Sequence, residues 1–188
     1  MKKWLVIFAM FTLAACSSSP DRKNYYQLPQ EGQPPAQAVS QSGQRQLWVD
    51  QVTLADFLAA NGVVYQTSDV QYVIATNNLW ASPLDQQLRN TLVSNLSAAL
   101  PGWVVASQPL GNAQSTLSVN VTGFHGRYDG KVIVSGEWLL KQDGEIIKRP
   151  FRILLDQQQD GYDAMIKTLA TAWQQEANGI ARELTRRQ

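Results

Sequence analysis

The chain has 188 residues, of which 44% are hydrophobic, enough for one domain with a substantial core. Sixteen Lys and Arg face 15 Asp and Glu, and this near-neutral balance gives no electrostatic case for nucleic-acid binding. A single Cys and a single His exclude an intrachain disulfide and a His-rich metal site.

Lys2 and Lys3 precede an apolar run from Trp4 to Phe11, which Thr12 and Leu13 close before Ala14-Ala15-Cys16. A charged start, an apolar centre and small residues at a cut site are the parts of an export signal. The stretch is well short of the roughly 20 apolar residues that span a membrane. Leu13-Ala14-Ala15-Cys16 resembles the lipobox of bacterial lipoproteins. That resemblance implies a diacylglycerol thioether on Cys16, cleavage before it, and acylation of the new amine. Two or more buried acyl chains give stable anchoring where one does not. Residues 1–15 are thus expected to be removed, leaving 14 basic against 15 acidic groups. Ser17 and Ser18 follow Cys16 where Asp favours inner-membrane retention in the lipoprotein sorting scheme, which implies the outer membrane.

Residues 16–46 are expected to form the lipidated N-terminus and a flexible tether or linker. Ser17 to Lys23 offer nothing apolar to bury, and 29–46 return to Pro, Gln, Gly and Ser. Tyr25, Tyr26 and Leu28 interrupt this polarity as a short strand at 24–28. The folded domain is expected over 47–188. Leu47, Val49 and Val52 lie in a first strand, followed by strands at Val63–Tyr65 and Val70–Ala75. A helix follows, with Ser82 as cap, Pro83 at its first position and Asp85 in its first turn. Leu84, Leu88, Leu92, Leu96 and Leu100 give its apolar face, and Pro101-Gly102 ends it.

Trp103–Ala106 reads as a short strand. Leu117, Val119 and Val121 alternate with polar residues as in a half-buried antiparallel strand. Asp129-Gly130 and Asp143-Gly144 are hairpin signals, because tight primed turns want positive φ. Between them Val132, Val134, Gly136, Trp138 and Leu140 share one face. From Asp160 or Gly161 a last helix carries Met165, Ile166, Leu169, Trp173, Ala177, Ile180 and Leu184 on one stripe. Arg182, Arg186 and Arg187 sit in its final turns, where cations suit the dipole, a reading preferred to a phosphate site. The sum is an α+β domain, a largely antiparallel sheet with two amphipathic helices.

The catalytic search finds little. His125 adjoins Gly123 and Gly126 and reads as a polar hairpin residue rather than a catalytic base. No G-x-S-x-G elbow or phosphate-cradling loop occurs. Asp156-Gln-Gln-Gln-Asp160-Gly161 opens like a calcium loop, but position twelve is Lys167, where a bidentate Glu is needed. Asp50 and Asp56 remain a carboxylate pair that sequence cannot bring together. Phe57, Tyr65, Tyr72 and Trp80 crowd the stretch before the first helix, either as core or, if exposed, as an interface. Core is preferred, with Trp80 the most completely packed.

Several local patterns occur together in order: the lipobox, Tyr25-Tyr26-x-Leu28, Trp80-Ala81-x-Pro83-Leu84, the strand Leu117–Phe124, Gly136-x-Trp138, and a closing Ala/Leu-rich helix. In this the chain resembles the ABC-type transport auxiliary lipoprotein family over essentially its whole mature length. The resemblance implies a fold similar to the N-terminal domain of TolB. It implies no catalytic residues, cofactor or metal, and carries only Cys16 over as a site. It also implies a PqiB-like MCE-domain tube protein as partner, received at the outer membrane during intermembrane lipid transport, with a cyclic homo-oligomer as a further expectation. A lipid-binding carrier with its own cavity is the alternative, and a periplasmic hydrolase the third reading.

Overall fold

The computed structural model describes residues 22–29, 44–111 and 114–186. Eight strands, β1 (Asn24–Tyr26), β2 (Arg45–Leu54), β3 (Gly62–Ser68), β4 (Gln71–Trp80), β5 (Trp103–Ala106), β6 (Ser115–Arg127), β7 (Lys131–Gln142) and β8 (Glu145–Asp156), form one sheet. Helices α1 (Leu84–Ala99) and α2 (Tyr162–Arg186) cover one of its faces.

The sheet is mixed. Among the described residues, β3–β4, β6–β7 and β7–β8 pair antiparallel. The pairings β1–β4, β2–β5, β2–β6 and β3–β6 are parallel. The antiparallel character expected of β6–β8 holds through its two long ladders. The parallel pairs join strands far apart in sequence, beyond the reach of any hairpin signal. β1 ties residues 24–28 into the body, and Leu28 is buried in the main core.

The two hairpin signals make different turns. At Asp143-Gly144 both residues have positive φ (51° and 82°), the two-residue primed turn that matches strand twist. The β6–β7 connection uses three residues, Tyr128-Asp129-Gly130, and only Gly130 has positive φ (74°). The Gly130 N–H donates to the Arg127 carbonyl at 3.2 Å, as in a turn closed by a glycine bulge.

Core burial follows the two periodicities. Leu84, Leu88, Leu92 and Leu96 of α1 and Leu117, Val119 and Val121 of β6 are buried. On α2 the stripe from Met165 to Leu184 packs against the sheet, and Trp173 of that stripe stacks near Phe151. Removing the roughly 200 Å² of an indole side chain from water is worth about 5 kcal/mol before entropy is counted. The Trp173 indole N–H donates to the Leu88 carbonyl at 3.1 Å, which joins the helices without leaving a buried donor open.

The α1 entry departs from the expected cap. Pro83 occupies the cap position and no side chain caps the helix. Instead Gln87, buried in the first turn, donates to the Ser82 carbonyl at 2.8 Å and accepts the Leu28 N–H at 2.8 Å. One amide thereby fastens β1, the helix entry and the core together.

Candidate functional site

Cys16, the lipid-attachment residue expected from sequence, lies outside the described residues. What the structure offers is surface, and it concentrates where β3, β4 and the C-terminal half of β6 meet.

His125 belongs to the β6–β7 hairpin as expected, but it is not a polar surface residue there. It lies within β6 and is only 3% exposed. The reason is a register shift between Val121 and Gly123. One extra residue inverts the alternation, so Phe124 joins the core beneath the helices and His125 points to the helix-free face. There it meets Tyr72 edge-on at 5.1 Å and lies 6.3 Å from Phe57, whose ring is 5.1 Å from Tyr72. Ile133, paired with His125 across the ladder, is also buried. His125 Nδ1 is 3.0 Å from the Gly126 carbonyl oxygen. That oxygen can only accept, so Nδ1 carries the proton. Burial pushes the imidazole below its usual value of 6.5; the Gly126 carbonyl opposes this, and Arg127 and Arg152 reinforce it. The ring is therefore neutral at pH 7 and serves as a packed, half-polar member of an aromatic cluster.

The four aromatics singled out from sequence divide accordingly. Trp80 is core, 6.2 Å from Phe124. Phe57 and Tyr65 are half-buried, and Tyr72 is exposed. The neighbours of Tyr72 extend the exposed set, because Val70, Val73 and Ile74 face solvent. Among the described residues this part of β4 is bordered by β3 alone, since β1 covers only Asn78–Trp80. Sequence reading missed this patch. Its signal was a five-residue run, Val70 to Ile74, in which apolar residues fail to alternate with polar ones.

Among the described residues the hollows between elements are small or open to solvent. A cavity of about 150 Å³ between the helices is lined by Leu28, Thr91, Lys167 and Trp173 among others. A second, of about 320 Å³, lies beneath Tyr65, Arg127, Tyr162 and Met165. Small-molecule sites run to about 300–1,000 Å³, so the first is below that range and the second at its lower limit; a third hollow of about 580 Å³, beside Ala99, Asn178 and Arg182, lies within it but is open to solvent. Glu176 of α2 is a buried carboxyl, accepting the Trp138 indole N–H at 2.9 Å. Burial raises its pKa above the usual 4.5, while the Trp138 bond and Arg182 pull it back. Its partner is a structural indole, which assigns it to packing α2 on β7. Among the described residues no helix is long and apolar enough to cross a membrane.

Two groups of known proteins share this sequence and fold. The intermembrane transport lipoprotein PqiC of Escherichia coli K12 is 68% identical over 188 residues, covering 99% of each chain. The PqiC of Shigella flexneri matches to the same extent. A crystal structure of an uncharacterized protein, 66% identical, superposes with a TM-score of 0.79 over 87% of this chain and 99% of its own. A Xanthomonas campestris protein at 16% identity, with a TM-score of 0.68 over 84% of this chain and 92% of its own, shares the fold alone. The model of the ABC-type transport auxiliary lipoprotein component matches residues 26–181, from β1 almost to the end of α2, and the chain therefore belongs to that family.

Proposed function

We propose that this protein is a lipoprotein of an intermembrane transport system and acts in it as a docking component rather than an enzyme. The observation that carries the proposal is 68% identity to PqiC across 99% of both chains. In this reading acyl chains on Cys16 hold the protein to the periplasmic leaflet of the outer membrane. The residues up to β1 give reach, and the α+β domain receives a PqiB-like MCE-domain tube that carries lipids between the two membranes. A tube end presents rotational symmetry, so several copies of the domain form a closed ring around it.

The hollows among the described residues, small or open to solvent, favour docking over a carrier that encloses a lipid. The buried, neutral and carbonyl-bonded His125 favours a packing role over a catalytic one. The test is a mild-detergent pull-down of the full lipoprotein with partners identified by mass spectrometry. Recovery of an MCE-domain protein supports docking. Recovery of the protein alone with bound lipid moves the assignment to a carrier, and recovery of neither overturns both.

A further inference from the structure

The register of β1 fixes where the N-terminal segment leaves the fold. β1 runs parallel to β4, with Asn24 opposite Asn78 and Tyr26 opposite Trp80. Backbone upstream of Asn24 is therefore aimed back along β4 toward its start at Gln71. That end of the sheet gathers three connections: the β3–β4 turn, the β6–β7 turn and the segment between β8 and α2. They are bonded into one rim, since the Tyr128 hydroxyl donates to Asp69 and the Gln157 N–H donates to the Gly130 carbonyl.

This rim is unusually apolar for a solvated edge. Val70 is 85% exposed, Val73 53%, Tyr128 47% and Tyr72 45%. Single exposed apolar side chains are ordinary, but this many on adjacent turns make a patch that marks an interaction site. Its two cations are each paired with a carboxylate, while Asp69 accepts from Tyr128 and Asp160 adds a further exposed carboxylate. Arg127 pairs with Asp129 at 3.2 Å and Lys131 pairs with Asp156. Among the described residues the rim therefore offers no free cation of its own turns to an anionic partner, and its apolar side chains are what it presents. Tyrosine beside aliphatic side chains is the composition of a membrane–water interface.

Length points the same way. Asn24 lies eight residues after Cys16, at most about 28 Å of extended chain, which suffices to reach from its place opposite Asn78 to the Gln71 end of β4 and little beyond. We infer that the rim seats on the bilayer in which Cys16 is anchored, with Val70, Tyr72 and Val73 entering the headgroup region. The inference rests on the acylation of Cys16 proposed above. It orients the molecule, because the Asp143–Gly144 turn and the C-terminal end of α2, at the opposite end of the sheet, then face the periplasm and any incoming partner.

Acylation consumes the thiol of Cys16, so Val70→Cys and Val73→Cys each supply a unique attachment point for a spin label, and exposed Lys141→Cys near the far end supplies the control. Each full-length acylated variant is reconstituted with phosphatidylethanolamine vesicles containing a minor fraction of phosphatidylglycerol. Vesicle flotation and label accessibility to oxygen and to a water-soluble nickel chelate are then measured. The expected result is loss of nickel accessibility with gain of oxygen accessibility at 70 and 73, and no change at 141. Flotation with labels at 70 and 73 as wet as at 141 overturns the seating while leaving the anchor intact. Shielding of 70 and 73 from both reagents, only at protein concentrations where copies associate, assigns the rim to a second copy and overturns it too. Failure to float removes the anchor and the inference with it.

Discussion

Replacing Gln87 by Leu tests whether one side-chain amide holds the N-terminal strand to the body. The substitution nearly preserves volume and apolar contact on α1, but removes the acceptor of the buried Leu28 N–H and the donor to the Ser82 carbonyl. Leu28 is 2% exposed, so water cannot take over the bond without opening the segment. A buried donor left unsatisfied costs about 1–3 kcal/mol. Taking about 2 kcal/mol, local opening of residues 22–29 becomes about 30-fold more frequent, and Tm falls by about 4–8 °C in a domain of this size. Hydrogen exchange followed on a peptide covering 22–29, beside thermal unfolding, reads both effects. A fall in Tm with exchange unchanged in that peptide refutes the reasoning, because the damage would then lie in helix packing. Exchange and Tm both at wild-type values refute it as well.

Four further outcomes are expected. Gly136→Ala places a Cβ 2.1 Å from the Asn120 carbonyl oxygen and 3.0 Å from Val121 Cα. Backbone cannot yield as a side chain can, so β6 and β7 must separate at a cost of about 1–3 kcal/mol, seen as a lower urea midpoint; wild-type stability would contradict the close approach. Glu176 has a pKa raised in the folded state, so its contribution is complete below the unfolded value of 4.5 and is lost as pH rises through the folded one. Glu176→Gln keeps an acceptor for Trp138 and should remove that loss, leaving the variant more stable than wild type at neutral pH with little difference in acid; denaturant titrations at several pH values check this. His125 acts with the opposite sign: its folded pKa is lowered, its stabilisation is complete above 6.5 and declines as pH falls toward the folded value, and His125→Phe should flatten that decline. Cys16→Ala should leave an unlipidated, uncleaved precursor, visible as a larger species by mass spectrometry; normal processing would remove the anchor from the proposed function.

The elements that sequence revealed are those whose signal is local. The leucines of α1 recur on one turn-by-turn face, and Asp143-Gly144 makes the tight turn its residue types demand. Leu117, Val119 and Val121 alternate as expected until the register shift, which no residue type announces and which turns His125 to the other face among aromatics. Gln87 was illegible for a different reason: its partners are a strand 59 residues upstream in the chain and a carbonyl five residues back. A Gln in the first turn of an amphipathic helix otherwise reads as solvent-facing. Ser82 had the residue type of a cap, yet Pro83 took the position. Parallel pairings such as β2 with β5 and β6 are set by how α1 crosses over the sheet, which leaves no mark on either strand. The run at Val70–Ile74 read as a strand, and its exposure follows from β4 having no long neighbour beyond it among the described residues.

The pairing of β1 also has a mechanical consequence. A pull on the chain upstream of Asn24 acts along the axis of β1, parallel to β4, so the bonds of that ladder are loaded together in shear rather than peeled apart in turn. Behind the ladder, the Leu28–Gln87 bond and the buried Leu28 side chain act as a second stop. Resistance to such a load is governed by the rate of unfolding rather than by equilibrium stability. If Cys16 is anchored as proposed, this short strand is thus placed to bear strain between the N-terminus and the folded domain.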